Sequence, residues 1–116
     1  MKAPQAIAVG LLGDLGVRVS TRKPDPHPEK FIVVSRIGGG NDEWATKDPR
    51  FLIESFAKSE YEAEALAESA RDLWRCTRTK EVLWATADDN LSRFDDPDPD
   101  LHRFQFTGGL KLKFTQ

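Results

Sequence analysis

The chain carries a single cysteine, Cys76, so no internal disulfide holds it together. It has only two histidines, His27 and His102, which leaves few soft ligands for a metal. Net charge is almost absent. The formal value is -2 at pH 7, and that balance offers no global attraction to nucleic acid or to an anionic membrane surface. Long apolar runs are missing as well, since no stretch approaches the ~20 residues a spanning helix needs. The N-terminal run over residues 4–15 is broken by Gly10 and Gly13, and Pro4 stands where the core of a secretory signal would begin. That run is therefore read as folded structure rather than as a leader. What remains is a chain of 116 residues, sized for one domain (1-116) with one core.

The richest segment is residues 22–58, RKPDPHPEKFIVVSRIGGGNDEWATKDPRFLIESFAK. Pro24, Pro26 and Pro28 each fix their own φ and bias the preceding residue to an extended shape, which predicts a stiff connector. An apolar strand over residues 31–37 follows, with Phe31, Val33, Ser35 and Ile37 on one face and Ile32, Val34 and Arg36 on the other. Both faces are largely apolar, so the strand is expected to be covered on both sides. A second strand over residues 50–57 places Phe51, Ile53 and Ala57 opposite Leu52, Glu54 and Phe56. The two strands predict a hairpin with its tip at Gly38, Gly39, Gly40 and Asn41, a tip with high backbone entropy that a partner would order.

Ser59 and Glu62 make a capping box for the strongest helix, whose Ala63, Leu66, Ala67, Ala70, Leu73 and Trp74 form one apolar stripe. Acids fill its first turns, and Arg71, Arg75 and Arg78 its last, which suits the helix dipole. Upstream, Ile7, Leu11 and Leu15 define a helical face over residues 4–15 with Gly16 as its stop, and Val17 and Val19 a short strand. Residues 79–87 read equally as strand or helical extension. Residues 88–100 read as an acidic, proline-broken loop that holds at most a brief strand at 91–94. The last segment alternates strictly, with Phe104, Phe106, Leu110, Leu112 and Phe114 on one face, and Gly108-Gly109 predicts a bulge within it. Together these elements predict an α+β fold, a mostly antiparallel sheet with helices packed on one face.

Candidate chemistry is sparse. Gly38-Gly39-Gly40 lacks the lysine and hydroxyl of a phosphate loop and is followed by Asp42 and Glu43, which repel phosphate. Asp98, Asp100 and His102 sit in a broken loop without coherent metal spacing. Cys76 lies near Arg75 and Arg78 but has no local base, and is expected to be a buried or half-buried thiol. Glu60, Glu64, Glu68 and Asp72 repeat every four residues as the wet face of a helix. Arg18, Arg22, Lys23, Lys30, Lys111 and Lys113 are too scattered for a nucleic-acid surface, and no RNP-type motif accompanies them. No catalytic residue, metal ligand or cofactor site is expected, and no enzymatic activity.

Three segments in order, VRVSTRKPDPHPEKFIVVSRIGGG, FLIESFAKSEYEAEALAESARDLW and PDPDLHRFQFTGGLKLK, resemble the tail terminator proteins of long-tailed bacteriophages, notably those of actinobacterial phages and prophages. The matching positions are residues 36–39, Phe56-Ala57, residues 59–73, residues 97–100 and residues 103–107, within a span of roughly residues 15–113. Gly40, Trp44 and Gly108-Gly109 depart from the family's usual pattern. The resemblance implies a structural virion protein, assembled in the host bacterial cytoplasm, that forms a ring, commonly a hexamer, on the head-proximal end of the tail. Such a ring stops tube growth and offers a surface to the head. Its implied partners are other copies of itself, the major tail-tube protein and the head connector, with no membrane and no sequence-specific nucleic acid. The candidate partner interface comprises Arg36, Gly38, Gly39, Gly40, Asn41 and Trp44 at the hairpin tip, Arg71, Arg75 and Arg78 at the helix end, and Asp95, Asp96 and Asp98 in the acidic loop. Another head–tail connector protein and a small-ligand-binding α+β domain are the alternatives.

Overall fold

The last strand organises the molecule. The computed structural model describes residues 3–113, and in it strand β7 (His102–Lys113) is paired along both of its edges. On one edge lies β4 (Pro49–Ala57), in a single register from Arg50↔Gly109 to Ala57↔His102. The two-residue β3 (Thr46–Lys47) continues that register as Thr46↔Lys113 and Lys47↔Leu112, so β3 and β4 are one strand interrupted at Asp48. On the other edge lie β5 (Val82–Ala87) and β6 (Ser92–Asp95), end to end. Beyond β4 come β2 (Lys30–Gly39), antiparallel to it, and then β1 (Arg18–Ser20), parallel to β2. The result is a 7-stranded, mostly antiparallel sheet in an α+β fold.

Helices α1 (Pro4–Leu11) and α2 (Glu60–Cys76) cover one face of this sheet. Ile7, Ala8 and Leu12 from the α1 side, and Ala70 and Trp74 from α2, share one core cluster with Ile32, Val34, Phe51, Ile53, Phe106, Leu110 and Leu112. The alanine stripe lets α2 lie close, with Ala63, Ala67, Ala70 and Trp74 buried and Leu73 partly buried against the cluster. The Trp74 indole stands edge-on to Phe51 and Phe106, at centroid distances of 5.9 and 6.5 Å, and its Nε1–H donates to Thr86 O at 3.0 Å. Ser59 Oγ accepts from Glu62 N, so the expected cap is made.

The opposite face is only partly covered. Phe31 and Phe56 stack there at 4.6 Å and join Val33 and Leu101 in a second cluster. The proline connector crosses this cluster, with the Lys23 ammonium and the Arg103 guanidinium both over the Phe56 ring and His27 against Phe31. Pro24 is buried, and the Asp25-Pro26 peptide bond is cis.

Several expectations need correction. The N-terminal helix stops at Leu11, and a separate 3₁₀ turn (Gly13–Leu15) carries the chain to Gly16, whose φ of 75° ends it. Of residues 79–87, Val82–Ala87 resolve as strand, paired along the second edge of β7. The brief strand allowed at 91–94 within the acidic loop is present, as β6 (Ser92–Asp95) on the same edge of β7. Gly108-Gly109 makes no bulge in the β4–β7 ladder; the register shifts fall instead in β5, between Val82 and Trp84, and in β2, between Arg36 and Gly39. Gly108 is there for another reason, since a Cβ on it would press into the Trp74 indole and sit 2.9 Å from Thr86 O. Phe114 lies outside the described residues.

Candidate functional site

The hairpin tip is longer than four residues and internally braced. Gly38 and Gly39 belong to the bulged end of β2 and take φ values of 103° and 147°, conformations that favour glycine. A Cβ on Gly39 would overlap the Asp48 carbonyl oxygen, and one on Gly40 would overlap the Asp48 carboxylate. Asp48 thus closes the loop. Its carbonyl accepts from Gly40 N at 3.0 Å, and its own N–H donates to Asp42 Oδ1 at 3.2 Å. Glu43 and Thr46 exchange backbone hydrogen bonds of 3.0 and 3.4 Å around the apex. Trp44 sits at that apex and is 92% exposed, the most exposed large apolar side chain among the described residues. Arg36, Gly38, Gly39, Gly40 and Asn41 are exposed beside it, and Ile37 joins them at 48% exposure.

The charged patches are different from what the sequence implied. The Asp96 side chain is only 5% exposed, forms an ion pair with Lys23 at 3.2 Å and accepts from Asp98 N at 2.9 Å. Burial works against its charge, but the Asp98 N–H, the Lys23 ammonium and the Arg103 guanidinium outweigh it and hold the carboxyl below its ordinary pKa. Asp98 faces His27 at 3.7 Å and accepts from Asp100 N. Two of the three proposed acids therefore tie the acidic loop to the proline connector within the chain. Asp95 stays exposed and pairs with Arg93, 3.4 Å away. On α2, Arg71 Nε donates to Asp89 O and Arg75 is exposed, whereas Arg78, expected in the last turn, lies exposed beyond the C-cap Thr77. Sequence reasoning missed Lys23 and His27 as partners, because nothing local predicts that two proline-rich connectors meet across the sheet.

Two concavities among the described residues bear on function. A cleft of about 440 Å³ lies where those connectors meet and is lined by His27, Lys58, Asp98, Pro99 and Asp100. A groove of about 350 Å³ lies on the helical face, between the Leu15–Val17 segment and the first half of α2. Its floor is apolar, its rim is Tyr61, which is 81% exposed, and Lys30 reaches it from the start of β2. Among the described residues, no group of three or more His, Cys, Asp or Glu is placed to hold a metal ion, and no helix is long and apolar enough to cross a membrane. Cys76 is exposed at the last residue of α2, contrary to the expectation of a buried or half-buried thiol, because at 3.6 residues per turn it stands about 200° around the helix from the buried Trp74.

The geometry defines a two-layer α+β protein with a braced, aromatic-tipped loop at one end. No family model matches the sequence, and the search of curated proteins gives no match. Among solved structures the fold has a clear neighbour, a chain in a structure described as "Virion of native gene transfer agent (GTA) particle". The two superpose with a TM-score of 0.60 over 96% of this chain and 87% of that one, at 13% sequence identity. At that identity the likeness is one of fold.

Proposed function

We propose that this protein is a structural component of a phage-like virion, and within it a tail terminator. It forms a ring at the head-proximal end of the tail, stops the tube's polymerisation there and presents the surface that joins the head. The observation that carries the proposal is the fold shared, over nearly the whole chain, with a chain of a gene transfer agent virion. The order of segments noted in the sequence supports the finer reading. So does the braced Trp44 loop, which exposes an aromatic that the chain's own core leaves unused. The role is assembly rather than catalysis, and the partners are further copies of the chain, the tail-tube protein and the head connector.

A particle lacking this chain tests the reading. Abnormally long tails that fail to join heads are the expected result. Tails of normal length that fail to join heads assign the protein to head closure instead. Normal-length tails attached to heads end both assignments.

A further inference from the structure

The sheet ends in two unpaired edges. Among the described residues, β5 and β6 pair with β7 alone, and on the far side β1 covers β2 only from Phe31 to Val33. Alternation in an antiparallel ladder fixes which backbone groups such edges leave free. Thr107 turns to the β5 side, where its N–H donates to Asp89 Oδ1 and its C=O accepts from Asp88 N. Carried strand by strand through the registers, that alternation turns Val34 and Arg36 outward on β2, and Ala85 and Ala87 outward on β5. Gln5 Nε2 donates to Val34 O at 3.0 Å, and Thr79 meets Val82 at the start of β5. Among the described residues the outward groups of Arg36, Ala85 and Ala87 have no such cover. The two edges are also in phase, because one rung of the sheet runs Arg36, Phe51, Gly108, Ala87.

The β5 edge, Val82-Leu83-Trp84-Ala85-Thr86-Ala87, holds no proline and no charge to blunt it, and exposes Leu83 and Trp84 at 38% and 48%. On β2, Ile37 is 48% exposed. Charge separates the two edges. Strands β1 and β2 carry Arg18, Lys30 and Arg36 and no acid, and all three cations are exposed and outside any ion pair among the described residues. Residues 81–95 carry Glu81, Asp88, Asp89 and Asp95 against Arg93 alone. Asp88 is engaged by Arg50 and Asp95 by Arg93, whereas Asp89 is in no ion pair among the described residues. Glu62 lines the groove beside Lys30, and Lys80 precedes Glu81. The clearest unlike match is therefore Arg36, at one end of its rung, against Asp88 and Asp89, which follow Ala87 at the other. Two β5 strands paired with each other about Ala85 would instead set Glu81 opposite Asp89, like against like.

We infer that β5 of one copy adds to the Val34–Ile37 edge of β2 of the next copy, so that the sheet runs on from copy to copy. Strands β2 and β7 run one way and β4 and β5 the other, so a rotation about an axis along the strands brings β5 to β2 antiparallel. The contact is heterologous: each series keeps one bare β5 and one bare β2 edge until it closes as a ring. The inference rests on the ring reading proposed above and names the contact that closes the ring.

Disulfide trapping tests it. In a Cys76→Ser background, Arg36→Cys and Ala87→Cys together should give, on oxidation of concentrated protein or of assembled particles, a ladder of covalent oligomers that ends at the closed ring. Either cysteine alone should give no ladder. Ala87→Pro removes an outward N–H that the ladder to β7 does not use, and should weaken self-association about tenfold or more. Amide exchange needs no substitution. The N–H groups of Arg36, Ala85 and Ala87 should exchange about tenfold or more slower in the assembled protein than in dilute solution. Absence of the ladder from both preparations overturns the inference. A product that stops at the dimer and forms equally with Ala87→Cys alone overturns it, by pairing β5 with itself. Protection of Ala85 and Ala87 without Arg36 overturns it too, by giving the β5 edge to another protein. These outcomes are separable from failure of the terminator reading, which the tail lengths of particles lacking the chain decide independently.

Discussion

At the scale of single residues, the core is constrained where Trp74 meets Gly108. The indole is fully buried, donates to Thr86 O and fills the space a Cβ on Gly108 would need. Gly108→Ala should therefore cost about 1–3 kcal/mol through overpacking. Gly10, which lies inside α1 with nothing within 4 Å of a built Cβ, supplies the contrast. Gly10→Ala should stabilise by about 0.5–1 kcal/mol. Urea denaturation followed by Trp fluorescence reads both, and equal effects would refute the packing argument. Asp96 gives a pH dependence. Its folded pKa lies below the ordinary 3.8, so its contribution to stability is present above that value and is lost as pH falls through the folded pKa. Asp96→Asn should flatten the acid limb of the stability curve, measured from about pH 6 to about pH 2. An unaltered acid limb would show that the Lys23 pair contributes nothing.

At the scale of elements, β7 templates the sheet and its flanking strands are pieced against it. Between β5 and β6 the backbone leaves the ladder, and the Asp89 carboxylate takes its place by accepting from Thr107 N at 2.9 Å. Asp88 N still donates to Thr107 O, so the strand stays joined on both sides of the excursion. Asp89→Ala removes that acceptor. It should cost about 1 kcal/mol and raise the exchange rate of the Thr107 amide hydrogen above that of its neighbours. The cap of α2 gives a second element-level expectation. Ser59→Ala should lose ~1 kcal/mol, read as a lower midpoint in the same denaturation experiment. A midpoint that does not move would mean that tertiary packing of the alanine stripe alone holds the first turn.

At the scale of the whole molecule, stability and assembly are carried by different residues. The core lies between the helices and one face of the sheet, while Trp44 lies far outside it at 92% exposure. Trp44→Ala should leave thermal stability within about 0.5 kcal/mol of the parent. A large loss of stability would show that the loop packs in a way its exposure denies.

Periodicity made much of this legible in advance. Strict alternation marked β7, the capping box and apolar stripe marked α2, and the two-sided apolar strand over residues 31–37 was indeed covered on both faces up to Val34. These signals are local, because a residue's face is set by the repeat of its own strand or helix. Long-range pairing decided the rest. That Val82–Ala87 became strand depended on pairing with β7, which no short window contains. Gly108 serves a Trp that is distant in sequence, and Asp96 and Asp98 answer to Lys23 and His27 in another connector. The exposed Trp44 was visible as a residue near the tip. That its loop is braced, and that a groove stands at the other end of β2, depended on backbone contacts around Asp48 and on where α1 leaves the sheet. The sequence by itself determined which faces are apolar and where elements begin. Only the tertiary structure decided which of its charges are spent internally and which surfaces are left for a partner, because those follow from distances between segments far apart in the chain.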